Sequence, residues 1–523
     1  MSHQIHMNHR IEQTTPHELL DNLLGKLRHL LAQLGSDGGL LTPSIYETAQ
    51  ALRFATDGTT TESVVEWLLQ QQQPDGGWGD KAAPLYRAVP TLAAILALAE
   101  RAPGNMRIRC ANTAGLEVFR SMASYWQPPL ADDIPIAAEL ILPRLLDEAE
   151  RLGLSVSTDS FDSLRQLGQQ RRQMLARIRP TAATPPLHSW EAWGHEADCN
   201  LIDDSGGVGH SPAATAWWLH LAHGHYRLKR AGRGARHYLA NASRDTLGAA
   251  PGIQPPAWPL HCFETAFVLH VLLMADLLRE PALADIVASL VERLATVVGN
   301  RGLGFSESFL PDGDDTAAAV AVLAAMGRRG HAVALKPFQA EDHFTAYPFE
   351  LHHAPTVTTR GAVALTLCGH ENQPWLRALE ASQLPDGRWV GDKWNRSWLY
   401  TTAVVLHLFS LVRDQAPAVA ALRALVAYQH RDGGWGSGDV SSVQETAYAV
   451  LALNTQRHAS CWNEASDAAW RRARDFLLRY SEGERSEVER LWIHKELYQP
   501  LRIDQTFLLS ALLVVLRTEL ISA

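Results

Sequence analysis

From His17 onward, apolar residues recur at mixed three- and four-residue spacing: Leu19, Leu20, Leu23, Leu24, Leu27, Leu30 and Leu31. That spacing predicts an amphipathic helix. Along the rest of the chain, apolar helical stretches alternate with loops rich in Gly, Pro and Asp, and Val/Ile/Thr alternation at strand length is scarce. The predicted class is all-α. Residues 1–15 are polar, carry no apolar signal core and are expected to be disordered. The longest apolar run near the end, Phe507 to Leu516, is broken by Ser510 and too short to span a bilayer. The expectation is a cytoplasmic protein with no transmembrane segment.

The loops between helices repeat. Gln73-Pro74-Asp75-Gly76-Gly77-Trp78-Gly79 recurs as Gln383-Leu384-Pro385-Asp386-Gly387-Arg388-Trp389 and as Gln429-His430-Arg431-Asp432-Gly433-Gly434-Trp435-Gly436. A degraded copy stands at Asp204-Ser205-Gly206-Gly207-Val208-Gly209. A Ser/Thr-Ala motif then opens an apolar helix, as at Thr91, Ser211, Thr401 and Thr446. Gly supplies positive φ, Asp accepts from backbone amides, and Trp packs onto a neighbouring helix. Paired helices of this kind are predicted to close into α-barrels, one in each half, with a soft boundary near residues 280–300.

Length changes the picture only to the extent that 523 residues need two or three cores. A net charge of -9 argues against nucleic acid as a partner. Cys110, Cys199, Cys262, Cys368 and Cys461 are odd in number and scattered, without CxxC or zinc spacing, and read as reduced thiols. The sixteen Trp are enough to line a large apolar pocket and stabilise cations in it.

The chemistry concentrates at Pro311-Asp312-Gly313-Asp314-Asp315-Thr316, ahead of the run Ala317 to Val320. Three carboxylates within four residues, where a loop enters a buried helix, cannot all ionise cheaply. One kept neutral can act as an acid. The plain alternative is an acidic N-cap.

Several segments, in order, resemble one family. Asp312-Gly313-Asp314-Asp315 is similar to the DxDD motif of class II terpene cyclases, and the Gln/Asp-Gly/Trp repeats to their QW motifs. Ser44-Ile45-Tyr46-Glu47-Thr48-Ala49 resembles the SAYDTA segment, Leu187-His188-Ser189 the LHS motif, and Ser211 to Ala216 the SPSATA segment. Trp492-Ile493-His494-Lys495-Glu496-Leu497-Tyr498 resembles WxGKxLY, with His for Gly. The likeness runs from about residue 40 to 515 and is nearest to the bacterial class II diterpene cyclases that make ent-copalyl diphosphate. It implies a β barrel (1–60 and 286–523) carrying the acid, an inserted γ barrel (61–285), and an active site between them.

By resemblance, Asp314 protonates the terminal alkene of geranylgeranyl diphosphate, and Asp312 and Asp315 orient it. Trp389, Trp394, Trp398, Tyr400 and Trp435 are candidates for an aromatic wall, or else pack in the core. His188 fits the histidine that holds a terminating water in the plant enzymes, but its Asn partner is missing from Gln254-Pro255-Pro256-Ala257-Trp258-Pro259; His261 or Tyr46 stands as an alternative partner. Lys393 and Lys495, with Tyr46, are candidate substrate contacts, and Glu47 and Asp80 candidate Mg²⁺ ligands. Thr359-Arg360-Gly361 departs from the family's Asn-x-His pair. Asp132-Asp133 and Asp203-Asp204 lack the third acid of a class I DDxxD site, so the product is expected to keep its diphosphate for a separate class I diterpene synthase, as in gibberellin-type biosynthesis.

Other readings are a halimadienyl, syn-copalyl or drimenyl type cyclase, and a non-catalytic α-barrel binding module. Squalene–hopene cyclases are longer, and prenyltransferase β-subunits need an Asp/Cys/His zinc set that the scattered cysteines do not supply.

Overall fold

The leucine face predicted from His17 forms α1 (Pro16–Gln33), which buries Leu23, Leu27, Leu30 and Leu31. Thr15 and Glu18 close a reciprocal capping box at its start. The computed structural model describes residues 15–55, 61–101, 104–131, 133–156, 159–347, 350, 353–412, 416–481 and 489–522. Most of the polar leader expected to be disordered, and Asp132, lie outside them.

After α1 the chain leaves for a second body. Here α2 (Ile45–Phe54), α3 (Thr61–Gln70), α4 (Pro84–Arg101), α5 (Met106–Ser121), α6 (Ala138–Arg151), α7 (Asp162–Leu175), α8 (Trp190–Trp193), α9 (Pro212–Leu221) and α10 (Lys229–Arg244) follow in order. Helices α2, α4, α6, α8 and α9 contact one another in a closed ring, and α3, α5, α7 and α10 pack outside it.

The chain then returns to α1. It forms α11 (His261–Met274), α12 (Ala284–Val297), α13 (Gly313–Ala325), α14 (Pro355–Cys368), α15 (Gln373–Ala381), α16 (Trp398–Val412), α17 (Ala416–Ala427), α18 (Val443–Thr455), α19 (Glu464–Ser481) and α20 (Leu501–Ser522). Helices α11, α13, α14, α16, α18 and α20 make a six-membered inner ring, with α1, α12, α15, α17 and α19 among its outer layer. A short antiparallel pair, Trp492–Ile493 with Leu497–Tyr498, precedes α20. No helix among the described residues is long and apolar enough to cross a membrane.

The boundaries expected at residues 60 and 285 need correction. Helix α2 is buried from Ile45 to Arg53 and shares its core with α4, so it belongs to the second barrel. Helix α11 is buried over nearly its whole length and is an inner staff of the first. A helix apolar all round must sit inside a ring.

The repeats are staples between helices. Gln383 donates to the carbonyls of Gly387 (2.9 Å) and of Pro417 on α17 (3.0 Å). The Trp389 indole donates back to Leu379 on α15 (2.8 Å), and its backbone N–H to the Thr402 hydroxyl of α16 (3.2 Å). Gln429 and Trp435 repeat the pattern with Gly433, Ala469 and Leu425. In the earliest copy the working glutamine is Gln72, not Gln73: it reaches Gly76 and Ala111. The spacing of Gln, Gly and Trp shows why, since only Gln72 stands four residues before the glycine and six before Trp78.

Gly387 has φ +95°, and a Cβ there would lie 2.2 Å from the Ala420 carbonyl oxygen. Gly391 has φ +78° with nothing within 4 Å of a Cβ. Gly391→Ala is therefore expected to cost only the left-handed backbone strain, about 1–2 kcal/mol. Gly387→Ala adds a backbone clash and should lower the thermal midpoint further. Equal midpoints for the two variants would remove the packing argument.

Candidate active site

The acidic segment is an N-cap put to a second use. Asp312 caps α13, its Oδ1 accepting from the N–H groups of Asp314 (2.9 Å) and Asp315 (2.8 Å). The intervening residue has to be glycine: a Cβ at Gly313 would stand 2.0 Å from the Thr345 carbonyl oxygen. Thr316 ties the incoming loop down, accepting from Leu303 N–H at 2.9 Å. The same hydroxyl-to-loop contact recurs at Thr215, Thr358 and Thr446, so the motif is the inner-helix start of the repeat with carboxylates substituted in.

The helix N-terminus favours negative charge, but here burial opposes it more strongly. Asp312 and Asp315 are nearly inaccessible, and Asp314 is the most exposed of the three. Burial pushes Asp312 up to about 8, against the two N–H donors and with the Asp314 charge adding to the rise. Asp315 is held well above the ordinary carboxyl range by burial and then by Asp312 and Asp314. Burial and mutual repulsion thus keep both Asp312 and Asp315 inclined to hold a proton. Asp314 is also raised by burial, but the Arg360 guanidinium, 2.6 Å away, pulls it back down.

Arg360 is itself fully enclosed. It donates to the Tyr400 hydroxyl and lies 4.5 Å from the Phe267 ring centroid. The segment noted as a departure therefore supplies the acid with a cationic neighbour.

The three acids line a cavity of about 430 Å³ between the two barrels. Phe263, Phe267, Phe305, Phe309, Trp492 and Tyr498 make much of its wall. Of the aromatic candidates, Trp394 lines it and the other four do not. Trp389 and Trp435 are staples, Trp398 packs against Tyr428, and Tyr400 stands behind Arg360. Lys393 also lines the cavity, paired with Glu350 at 2.5 Å.

At the other side, the 492–498 hairpin enters the second barrel. The Lys495 ammonium is fully buried, 2.8 Å from Glu47 and 2.7 Å from Glu191, and donates to Ser211 (2.8 Å). Glu47 also accepts from Ala213 N–H, and Tyr46 donates to Glu191 at 2.9 Å. Glu496 accepts from Ser44 and from Tyr46 N–H. His188, on the cavity wall, is in hydrogen-bond contact with His494.

These contacts correct several expectations. Lys495 is a structural cation, with no surface left for a phosphate. Tyr46 belongs to the same buried network and does not line the cavity. Asp80 is on a loop beside Arg396, at 3.4 Å, while Glu47 is buried under Lys495. The two carboxylates do not form one donor set, and they do not fit a shared Mg²⁺. Among the described residues the single cluster of ligand-type side chains is His261, Cys262 and Glu307, which includes neither. Asp133 accepts from Tyr86 and Asp203 from His210, as structural carboxylates.

No family profile matches the chain. It is 41% identical to a (+)-kolavenyl diphosphate synthase of Herpetosiphon aurantiacus, over 96% of this chain and 99% of that one. It is 30% identical to an ent-copalyl diphosphate synthase of a Streptomyces species, over 91% and 92% of the two chains. Among solved structures, ent-copalyl diphosphate synthase from Streptomyces platensis superposes with a TM-score of 0.78 at 26% identity, covering 94% and 99%. The chain belongs to the class II diterpene cyclases.

For a class II diterpene cyclase, the sequence reading missed Arg360 as a partner of the acid, His494 as a partner of His188, and the phenylalanine wall. His494 carried a signal, since it stands where the family pattern has glycine; Arg360 lay at the unspecified middle of the departing Thr359-Arg360-Gly361 segment. The phenylalanines carried none, because their convergence depends on the turns at 303–312 and on α11.

Turnover by the cyclase should fall as pH rises through about 8, because the raised Asp312 holds its proton below that pH and loses it above; a profile flat from about pH 7 to about pH 9.5 would contradict this. Lys495→Met strands two buried carboxylates and should destabilise the fold by about 3–5 kcal/mol, eased as Glu47, already raised to about 7, takes up a proton. If Lys495 held the diphosphate instead, KM would rise with the thermal midpoint unchanged.

Proposed function

We propose that the chain cyclises geranylgeranyl diphosphate by protonating its terminal alkene, and that the diphosphate is retained. The observation that carries this is one wall of buried carboxyls facing an aromatic, largely apolar cavity, with the middle acid turned to it most. An alkene is so weak a base that the donor must be neutral, dry and fixed. Asp314 is the donor in this reading. The Asp312–Asp315 pair keeps a proton in the cluster, and Arg360 stabilises the carboxylate that Asp314 becomes.

The cation then forms two rings beneath Phe263, Phe267, Phe305, Phe309 and Trp492, whose faces attract positive charge. The cavity volume lies within the ~300–1,000 Å³ of small-molecule sites. Arg171, on α7, also lines it and is the cation we assign to the diphosphate, since its carboxylate neighbour, Glu139, stands at 3.8 Å, whereas Glu350 holds Lys393 at 2.5 Å. For the product, the 41% identity to a kolavenyl diphosphate synthase favours that type over ent-copalyl diphosphate, the product named for a relative at 30%.

The test is incubation with geranylgeranyl diphosphate, with and without Mg²⁺, then dephosphorylation and chiral gas chromatography–mass spectrometry. The wild type should give one bicyclic diterpenol, and Asp314→Asn should lose about 10²–10⁴-fold in rate while still binding substrate. Substrate bound but unchanged by the wild type would leave the binding-module reading. Turnover of farnesyl diphosphate alone would make it a drimenyl-type enzyme.

A further inference from the structure

One stretch of the second barrel is charged against the trend of the chain. The net charge is -9, yet the run from 205 to 244, bounded by Asp204 and Asp245, contains no Asp or Glu. It holds Arg227, Lys229, Arg230, Arg233, Arg236 and Arg244, with five histidines. All but Arg227 of these cations fall on α10, an outer helix packed against α9.

At 3.6 residues per turn, Lys229, Arg230, Arg233, Arg236, His237 and Arg244 share one face, about a third of the helix circumference. All six are exposed. The opposite side, with Ala235, Tyr238, Leu239 and Ala242, is buried. Among the described residues, only Arg244 of this face has an ion pair, with Asp245 at 3.5 Å. Arg236 turns to a backbone carbonyl, that of Gly232, at 3.3 Å. Just ahead of the helix, Tyr226 is 86% exposed, with His223, His225 and Arg227 beside it in the chain and exposed too.

Folding stability does not ask for this face. Lys229 and Arg230 stand in the first turn, where the helix dipole disfavours positive charge. Neither a side-chain cap nor an acidic residue in that turn offsets them. Arg233 has like-charged neighbours three and four residues away at Lys229, Arg230 and Arg236, a spacing at which repulsion weakens a helix. A local rule broken without compensation inside the molecule points to a partner outside it. That partner is anionic, and it meets a row of charges along a 16-residue helix, about 24 Å long.

We propose that this face docks the chain on an anionic lipid bilayer. The long Arg and Lys side chains set their heads among headgroup phosphates, and the protruding Tyr226 ring, apolar along its body and polar at its tip, enters the interface. The rest of the chain is more acidic than the whole, so an anionic surface repels it and the protein approaches by this face. The proposed substrate and product favour a membrane over an acidic protein. Both are diphosphates on a long hydrocarbon, amphiphiles that gather where apolar tails meet water. That part of the argument rests on the cyclase reading; the charge pattern does not.

The test is flotation of the full-length protein with vesicles of phosphatidylcholine, with and without phosphatidylglycerol, and without substrate. The expected result is binding to the anionic vesicles alone, lost in about 1 M salt, where the screening length falls to about 3 Å. The triple variant Arg230→Gln, Arg233→Gln, Arg236→Gln should bind roughly 10²-fold more weakly, at about 5-fold per cation. Its thermal midpoint should be unchanged or raised, and its turnover of geranylgeranyl diphosphate in solution should equal that of the wild type. A failure of docking and a failure of the cyclase reading are therefore told apart. Absence of binding to anionic vesicles at low salt overturns the proposal, as does equal binding by the triple variant. Retention of the wild type on polyglutamate, with both vesicles left unbound, would assign the face to an acidic protein instead.

Discussion

The architecture depends on one buried ammonium. Lys495 comes from the barrel that carries the acid, and both carboxylates that hold it, Glu47 and Glu191, come from the other. A charge removed from water on this scale is tolerable only when paired and hydrogen-bonded, so the hairpin has one seating in the second barrel. That seating also fixes its neighbours. Glu496 is drawn to Ser44 at the start of α2, and His494 to His188. The ion network is thus a register mark between two ring-shaped bodies, and the cavity is the space left between them.

At the acid the fold reuses a device it needs anyway. The first N–H groups of a helix need acceptors, and in the inner helices α2, α9 and α18 a serine side chain (Ser44, Ser211, Ser442) supplies one. In α13 the capping residue is a carboxyl, with Asp314 and Asp315 directly behind it. Capping engages Oδ1 of Asp312 twice and leaves its other oxygen buried without a partner. The helix-cap reading and the acid reading are therefore both correct, because the capping geometry gathers the carboxyls and burial makes them protonated. Arg360 then tunes Asp314 separately, holding it by an ion pair while burial keeps it from being an ordinary carboxylate.

The charges in the site follow a division of labour. Fixed cations face carboxyls in the walls: Lys393 meets Glu350 and Lys495 its two glutamates, while Arg360 stands against the proton donor Asp314. The surface offered to a reacting chain is mostly ring faces and aliphatic edges. Such a wall stabilises positive charge without supplying a nucleophile that could trap it.

The sequence alone determined the helical class, the stapled loops, the acidic motif and the family to which its segments point. Each is a local pattern: spacing along one helix, or residue types within one turn. His494, named as a departure, and Arg360, in the middle of a departing segment, turned out to touch His188 and the acid, although their partners lie far off in the chain. Only the tertiary structure decided those pairings. It also placed Lys495 and Glu47 against each other as structure, and left Asp80 on the surface. The packing of two rings brings together residues hundreds of positions apart, and a side chain's ionisation and reach depend on what that packing encloses with it.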